Sequence, residues 1–186
     1  AGRHDDALIT LQNARQRLGD DASILEPMAR ELFVLERVAE SRQLYGVLLE
    51  KQPSNRHYLL NAARLDLSAG RVDQALIYLR ALRDDSALDR EGALQLALAL
   101  ASKGSPKEAA STLLPFAEKE PTNMRLNALT GKYLLDSDDI DRAVTFLKRA
   151  YAVAHRQGGD PETLFEYGRL AFRQGAVKEG SNRMQL

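Results

Sequence analysis

Leucine and alanine recur at helical spacing along almost the whole chain, valine and isoleucine are sparse, and no run alternates apolar and polar positions with period two. This pattern predicts helices throughout and no strands. Two near-copies, Glu50-Lys51-Gln52-Pro53-Ser54-Asn55 and Glu118-Lys119-Glu120-Pro121-Thr122-Asn123, place their prolines 68 residues apart, which is twice 34. A fixed period of that length, carrying two helices per unit, is the signature of a repeat array.

The 34-residue period and the distribution of small, large and turn residues within it resemble the tetratricopeptide repeat. In that frame the small position of the first helix falls on Ala29, Ala63, Ala97, Gly131 and Gly168. The small position of the second helix falls on Ala7, Ser41, Ala75, Ala109, Ala143 and Gly180. Stacked helices approach closely only where a short side chain leaves a groove for the neighbour's ridge. The large position gives Leu11, Tyr45, Leu79, Leu113, Leu147 and Met184, expected in the core. The turn between paired helices gives Gly2, Glu36, Gly70, Gly104, Asp138 and Gly175, with glycine the residue suited to a left-handed stop and Glu36 and Asp138 departing from it. Asp73, Ser105 and Asp139 stand at second-helix starts, where a side-chain oxygen can satisfy free amides.

The resemblance implies an all-α, right-handed α-solenoid of about eleven helices in one array. Residues 1–21 would be the second helix of a partial repeat, 22–55, 56–89, 90–123 and 124–160 complete repeats, and 161–186 a second partial repeat. The start Ala1-Gly2-Arg3, with no initiator Met and no basic-then-apolar leader, gives the expectation of a piece of a longer repeat protein. Pro115, inside a second helix starting at Pro106, predicts a kink near Ser111 to Pro115. Extra residues around Gln157-Gly158-Gly159 lengthen one connection and the helix before it. Asp66 falls in a position usually apolar and is expected to be a partly exposed, salt-bridged carboxylate. Asn127 and Thr130 make one packing face unusually polar and predict local loosening.

Composition narrows the function. Lys+Arg 26 and Asp+Glu 26 cancel over 186 residues, so the basic surplus of a free-standing nucleic-acid binder is missing. A hydrophobic fraction of 44% and a charged fraction of 28% suit a folded domain with a large core. Without cysteine there is no disulfide, thiolate nucleophile or cysteine-ligated metal, and cytosol and periplasm suit the chain equally. The most apolar stretch, Ala93 to Ala101, is too short for a membrane span of ~20 residues. Arginine outnumbers lysine in a Leu- and Ala-rich chain, which gives the expectation of a bacterial source.

Candidate chemistry is thin. His4, His57 and His155 are distant in sequence and none belongs to a zinc-binding H-E-x-x-H helix. There is no G-x-S-x-G elbow, and Gly131-Lys132-Tyr133 lacks the rest of a phosphate-binding loop. The run Asp136-Ser137-Asp138-Asp139-Ile140-Asp141 has Ile140 where a calcium loop needs an oxygen ligand, and it fits the start of a helix better. Asp20-Asp21 and Asp84-Asp85 fit solvated turns. No catalytic residue, metal or cofactor is expected.

In tetratricopeptide-repeat proteins the first helices line a concave face that holds partner segments. The resemblance therefore places Arg30, Arg64, Leu98, Lys132 and Arg169 at one level of that face, four cations in five positions. Phe33, Leu67, Ala101, Leu135 and Phe172 form one flanking rail, and Glu26, Leu60, Leu94, Ala128 and Phe165 the other. Such a face suits a partner segment alternating carboxylates with apolar anchors, since guanidinium forks bind carboxylates bidentately. Glu26 before Arg30 and Glu166 before Arg169 stand at ion-pairing spacings, whereas Arg64 has only Asn61 one turn earlier. The expected function is a non-enzymatic scaffold that binds a protein or peptide within a larger assembly, such as bacterial secretion, export or envelope machinery. The alternatives are a structural spacer or self-association module, or a substrate-recruiting segment of an enzyme whose catalytic domain lies elsewhere.

Overall fold

The computed structural model describes residues 2–84, 88–156 and 160–184, with side chains up to Gly175. The described residues form ten helices and no strand: α1 Gly2–Leu18, α2 Ala22–Val34, α3 Val38–Lys51, α4 Arg56–Ser68, α5 Val72–Asp84, α6 Arg90–Ser102, α7 Pro106–Lys119, α8 Met124–Asp136, α9 Ile140–Arg156 and α10 Pro161–Met184. The count is ten and not eleven because α10 runs unbroken through Gly175, where the repeat frame predicts a turn. Gly2 likewise opens α1 and is not a turn. Gly180 and Met184 lie outside the described side chains, and Gln157-Gly158-Gly159 outside the described residues; α9, which precedes them, has 17 residues.

The even-numbered helices start alike. Asp21, Asn55, Asp89, Asn123 and Asp160 stand just before α2, α4, α6, α8 and α10, and each side-chain oxygen accepts a hydrogen bond from a first-turn amide, as at Ser23 N (2.8 Å), His57 N (3.0 Å), Gly92 N (2.9 Å), Leu126 N (3.2 Å) and Thr163 N (2.8 Å). These oxygens satisfy amides that a helix start leaves without an internal partner. Asp21 is thus a cap and not only a solvated turn residue. Ser105 makes no capping hydrogen bond; α7 begins instead with Pro106, which has no amide to satisfy.

The turns inside each hairpin are also alike. Glu36, Gly70, Gly104 and Asp138 have φ of 60°, 71°, 75° and 62°. At each, the following amide reaches back into the preceding helix: Arg37 N to Leu32 O, Arg71 N to Asp66 O, Ser105 N to Leu100 O and Asp139 N to Leu134 O, at 2.8 to 2.9 Å. This left-handed stop satisfies carbonyls at the helix end and sends the chain back antiparallel.

The chain divides into two compact units, residues 1–92 and 93–186. In the first, α1 to α5 pack in chain order, and their core holds Leu8, Leu25, Met28, Leu32, Leu44, Tyr45, Leu48, Tyr58 and Leu65. In the second, α7 packs on α8, α8 on α9 and α9 on α10, burying Leu113, Leu126, Leu134, Phe146, Leu147 and Leu170. Ala29, Ala63, Ala97, Ser41, Ala75, Ala109 and Ala143 are all fully buried. Ser41 Oγ donates to Ala29 O at 2.7 Å, joining the small positions of α2 and α3 directly.

Two expectations about polar positions change. Asp66 is fully buried, not partly exposed: its Oδ1 takes hydrogen bonds from Arg42 Nε (2.6 Å) and Arg71 Nε (2.7 Å), so α3 and the α4–α5 turn are tied through one oxygen. Asn127 and Thr130 are also buried, and Asn127 tightens its surroundings: Nδ2 donates to the carbonyls of Glu120, Pro121 and Asn123 at 3.2, 3.2 and 2.7 Å, holding the α7–α8 connection. Pro115 leaves α7 continuous from Pro106 to Lys119, so it deprives the Ser111 carbonyl of its helical donor without ending the helix.

Candidate functional site

The cations of the first helices meet different surroundings in the two units. In the first unit, α2 and α4 carry Arg30, Phe33, Val34, Asn61, Arg64 and Leu65 into one cleft of about 220 Å³, with Tyr45 of α3 in its wall. Arg30 and Arg64 are exposed, and among the described residues neither meets a carboxylate within ion-pair distance. Arg64 instead places its guanidinium 6.0 Å from the centroid of the Phe33 ring, a cation–π contact that leaves its donors open. Glu26 does not pair with Arg30: its Oε1 lies 3.2 Å from His57 Nε2. Asn61 Nδ2 donates to the His57 carbonyl at 2.9 Å and lies 3.1 Å from His57 Nε2, so part of its capacity is used within α4. Leu60 and Leu67 are half-buried on the same helix.

In the second unit the cations are satisfied internally. Lys132 Nζ lies 3.4 Å from Glu162 Oε1 and 3.7 Å from Glu166 Oε1, both on α10. Arg169 binds Glu166 at 2.7 Å and Asp136 at 2.7 Å. These partners lift its pKa further, the hydrogen bond that Arg169 donates to Asp136 contributing most. Lys132 and Leu98 line a cleft of about 350 Å³ whose charged residues include Arg125, Asp160, Glu162 and Glu166. Leu94 and Leu135 are buried and present no surface, whereas Phe165 and Phe172 are 66% and 80% exposed on α10. Another hollow, about 660 Å³, lies at the α8–α9 turn beside Lys107, Asp138, Asp139 and Arg142, where Asp139 is already held by Arg142 at 2.7 Å.

Sequence spacing placed Arg30, Arg64 and Asn61 together, but not Tyr45, which the repeat frame assigns to the core. Its hydroxyl is buried without a hydrogen-bond partner. Burial, the largest effect, pushes its pKa up to about 12, with Glu26 adding to the rise and Arg30 and Arg64 opposing it. Among the described residues no cluster of His, Asp or Glu has the arrangement of a metal site, and no helix is long and apolar enough to cross a membrane.

No protein-family model and no curated protein matches this chain in sequence. Solved structures do match. MamA from Desulfovibrio magneticus RS-1 superposes with a TM-score of 0.74 at 17% identity, covering 84% of this chain and 88% of that one. A tetratricopeptide repeat protein from Parabacteroides merdae gives 0.66 at 16% identity, over 93% of this chain and 66% of that one. A thermophilic tetratricopeptide-repeat protein of Thermus thermophilus gives 0.58 at 19% identity, over 92% of both. The helical hairpins, their left-handed stops and their buried small residues, together with these likenesses, give the chain the fold of the tetratricopeptide-repeat solenoids.

Proposed function

We propose that this chain is a non-enzymatic protein-recognition scaffold and that the cleft between α2 and α4 takes a partner segment bearing an acidic group beside apolar anchors. One observation carries the reading: Arg30 and Arg64 are exposed beside Phe33, and among the described residues no carboxylate pairs with either. Unpaired guanidiniums next to exposed aromatic surface have the composition of interface hot spots. Lys132 and Arg169 of the second unit would take part in binding there only if a partner displaced Glu162, Glu166 and Asp136, which hold them. Leu60 and Leu67 of α4 supply further apolar contacts. The reading fits a component of a larger assembly, bacterial envelope or export machinery included.

The test is selection of displayed peptides on the full chain, followed by affinity measurements on the selected sequences. Enrichment of Asp or Glu beside Phe, Leu or Ile is expected, with affinity falling about tenfold or more in Arg64→Glu. Selected peptides lacking acidic residues, or binding equally to the variant, would refute this use of the cleft.

A second reading has its own observation. Leu164, Phe165 and Phe172 leave apolar surface open on α10, which suits self-association. Light scattering should then show a concentration-dependent mass that Phe165→Ser/Phe172→Ser abolishes; a monomer at all concentrations would remove this reading.

A further inference from the structure

The cleft of the first unit holds more donor capacity and positive charge than the protein itself uses. Asn61 is partly committed to His57, which leaves Arg30, Arg64 and Tyr45 as its open donors. Tyr45 is 2% exposed, lines this cleft and has a buried hydroxyl with no partner. Leaving such a group unsatisfied is costly, and folded proteins retain few of them. With a pKa of about 12 the phenol keeps its proton at neutral pH and remains a donor.

The charge count selects the ligand. A carboxylate balances one of the two guanidiniums, whereas a phosphate monoester carries about −1.5 to −2 near neutral pH and offers three acceptor oxygens. The cleft volume of about 220 Å³ is smaller than the ~300–1,000 Å³ of pockets that enclose whole small molecules, so it suits one side chain of a longer ligand. Phe33, Val34 and Leu65 supply the apolar wall against which flanking residues of that ligand would lie.

We infer that Arg30, Arg64 and Tyr45 form a phosphoryl-binding subsite that reads a phosphorylated serine or threonine in the partner segment. This rests on the protein-recognition reading above and sharpens it. The guanidiniums would grip the phosphoryl oxygens bidentately while the tyrosine hydroxyl donates to another, the mode in which arginine clusters recognise phosphorylated motifs.

The test uses the full chain and three labelled peptide pools with the same apolar-rich flanks and a central serine, glutamate or phosphoserine, read by fluorescence anisotropy. The phosphoserine pool should bind about tenfold tighter than the glutamate pool and tighter still than the serine pool. Arg30→Gln and Arg64→Gln should each remove most of that preference, and Tyr45→Phe, which deletes only the hydroxyl, should narrow it severalfold with helicity by circular dichroism unchanged. Equal binding of the glutamate and phosphoserine pools overturns the phosphoryl subsite while leaving the acidic-segment reading in place. No binding by any pool overturns both. A preference unchanged in both arginine variants overturns the assignment to this cleft.

Discussion

Gly131 of α8 faces Leu147 of α9 so closely that a Cβ at position 131 would lie 2.5 Å from Leu147 Cγ and 3.1 Å from its backbone nitrogen. No side chain fits there without moving α9. Gly131→Ala is therefore expected to destabilise the second unit by about 1–3 kcal/mol, the usual cost of overpacking. Gly168, at the matching position of α10, has nothing within 4 Å of its would-be Cβ. Gly168→Ala should stabilise by about 0.5–1 kcal/mol through the helix preference of alanine. Urea unfolding of both variants checks the pair; a similar shift in the two would show that the α8–α9 contact is not what requires glycine.

Asp66 gives an asymmetric expectation. Removing both Arg42 and Arg71 leaves a carboxylate buried without its charge partners and should cost about 3–5 kcal/mol. Asp66→Leu removes the buried charge itself, at a position where the repeat frame ordinarily holds an apolar residue, and should be neutral or stabilising by up to about 4 kcal/mol. Chemical denaturation of the two variants decides it. A loss in Asp66→Leu as large as in Arg42→Ala/Arg71→Ala would mean that the ion pairs are net stabilising and not merely compensating.

Glu36 adopts φ of 60° at a turn where two other repeats use glycine. The left-handed conformation costs a residue with a Cβ about 1–2 kcal/mol. Glu36→Gly should accordingly raise stability by about 1 kcal/mol after the extra chain entropy of glycine is deducted. The melting temperature is the readout, and a decrease would show that the Glu36 side chain makes a compensating contact.

Stability should fall on both sides of neutrality for separate reasons. Asp21, Asp139 and Asp160 are held below the usual carboxylate value of 3.8, chiefly by side-chain hydrogen bonds from Ser23, Arg142 and Thr163 respectively. A folded-state pKa below the unfolded one gives stability that is complete above the unfolded value and is lost as pH falls through the folded values. Melting temperature should thus be flat from about pH 7 to 5 and drop below about pH 4, less steeply in Asp139→Asn. Tyr45 and Tyr133 are shifted the other way, from 10.0 to about 12, mainly by burial. Their contribution is complete below 10 and lost as pH climbs toward 12, so Tyr45→Phe should soften the alkaline decline. Acid and alkaline melting profiles identical to wild type in these variants would refute the assignments.

Much of the fold was legible because its constraints are periodic. A small residue is needed wherever two helices touch, and that need returns every repeat, so Ala29, Ala63, Ala97 and Gly131 stand out in the sequence and are buried in the structure. The Asx caps at 21, 55, 89, 123 and 160 are equally regular, but a single aspartate or asparagine in a connection has the same local composition as a solvated turn. The candidate site was less legible. Sequence spacing put Arg30, Arg64, Lys132 and Arg169 on one level but did not anticipate that α10 brings Glu162 to Lys132 and Asp136 of α8 to Arg169.

The sequence by itself determined where helices begin, where hairpins turn and which faces are buried, because side-chain size, backbone preference and hydrophobic period act locally and repeat. Only tertiary structure decided which charges are neutralised and which polar groups are left without partners. That depends on contacts between residues about thirty positions apart, which pair Lys132 with Glu162, set Arg64 over Phe33 and leave Tyr45 in the wall of a cleft with its hydroxyl unused.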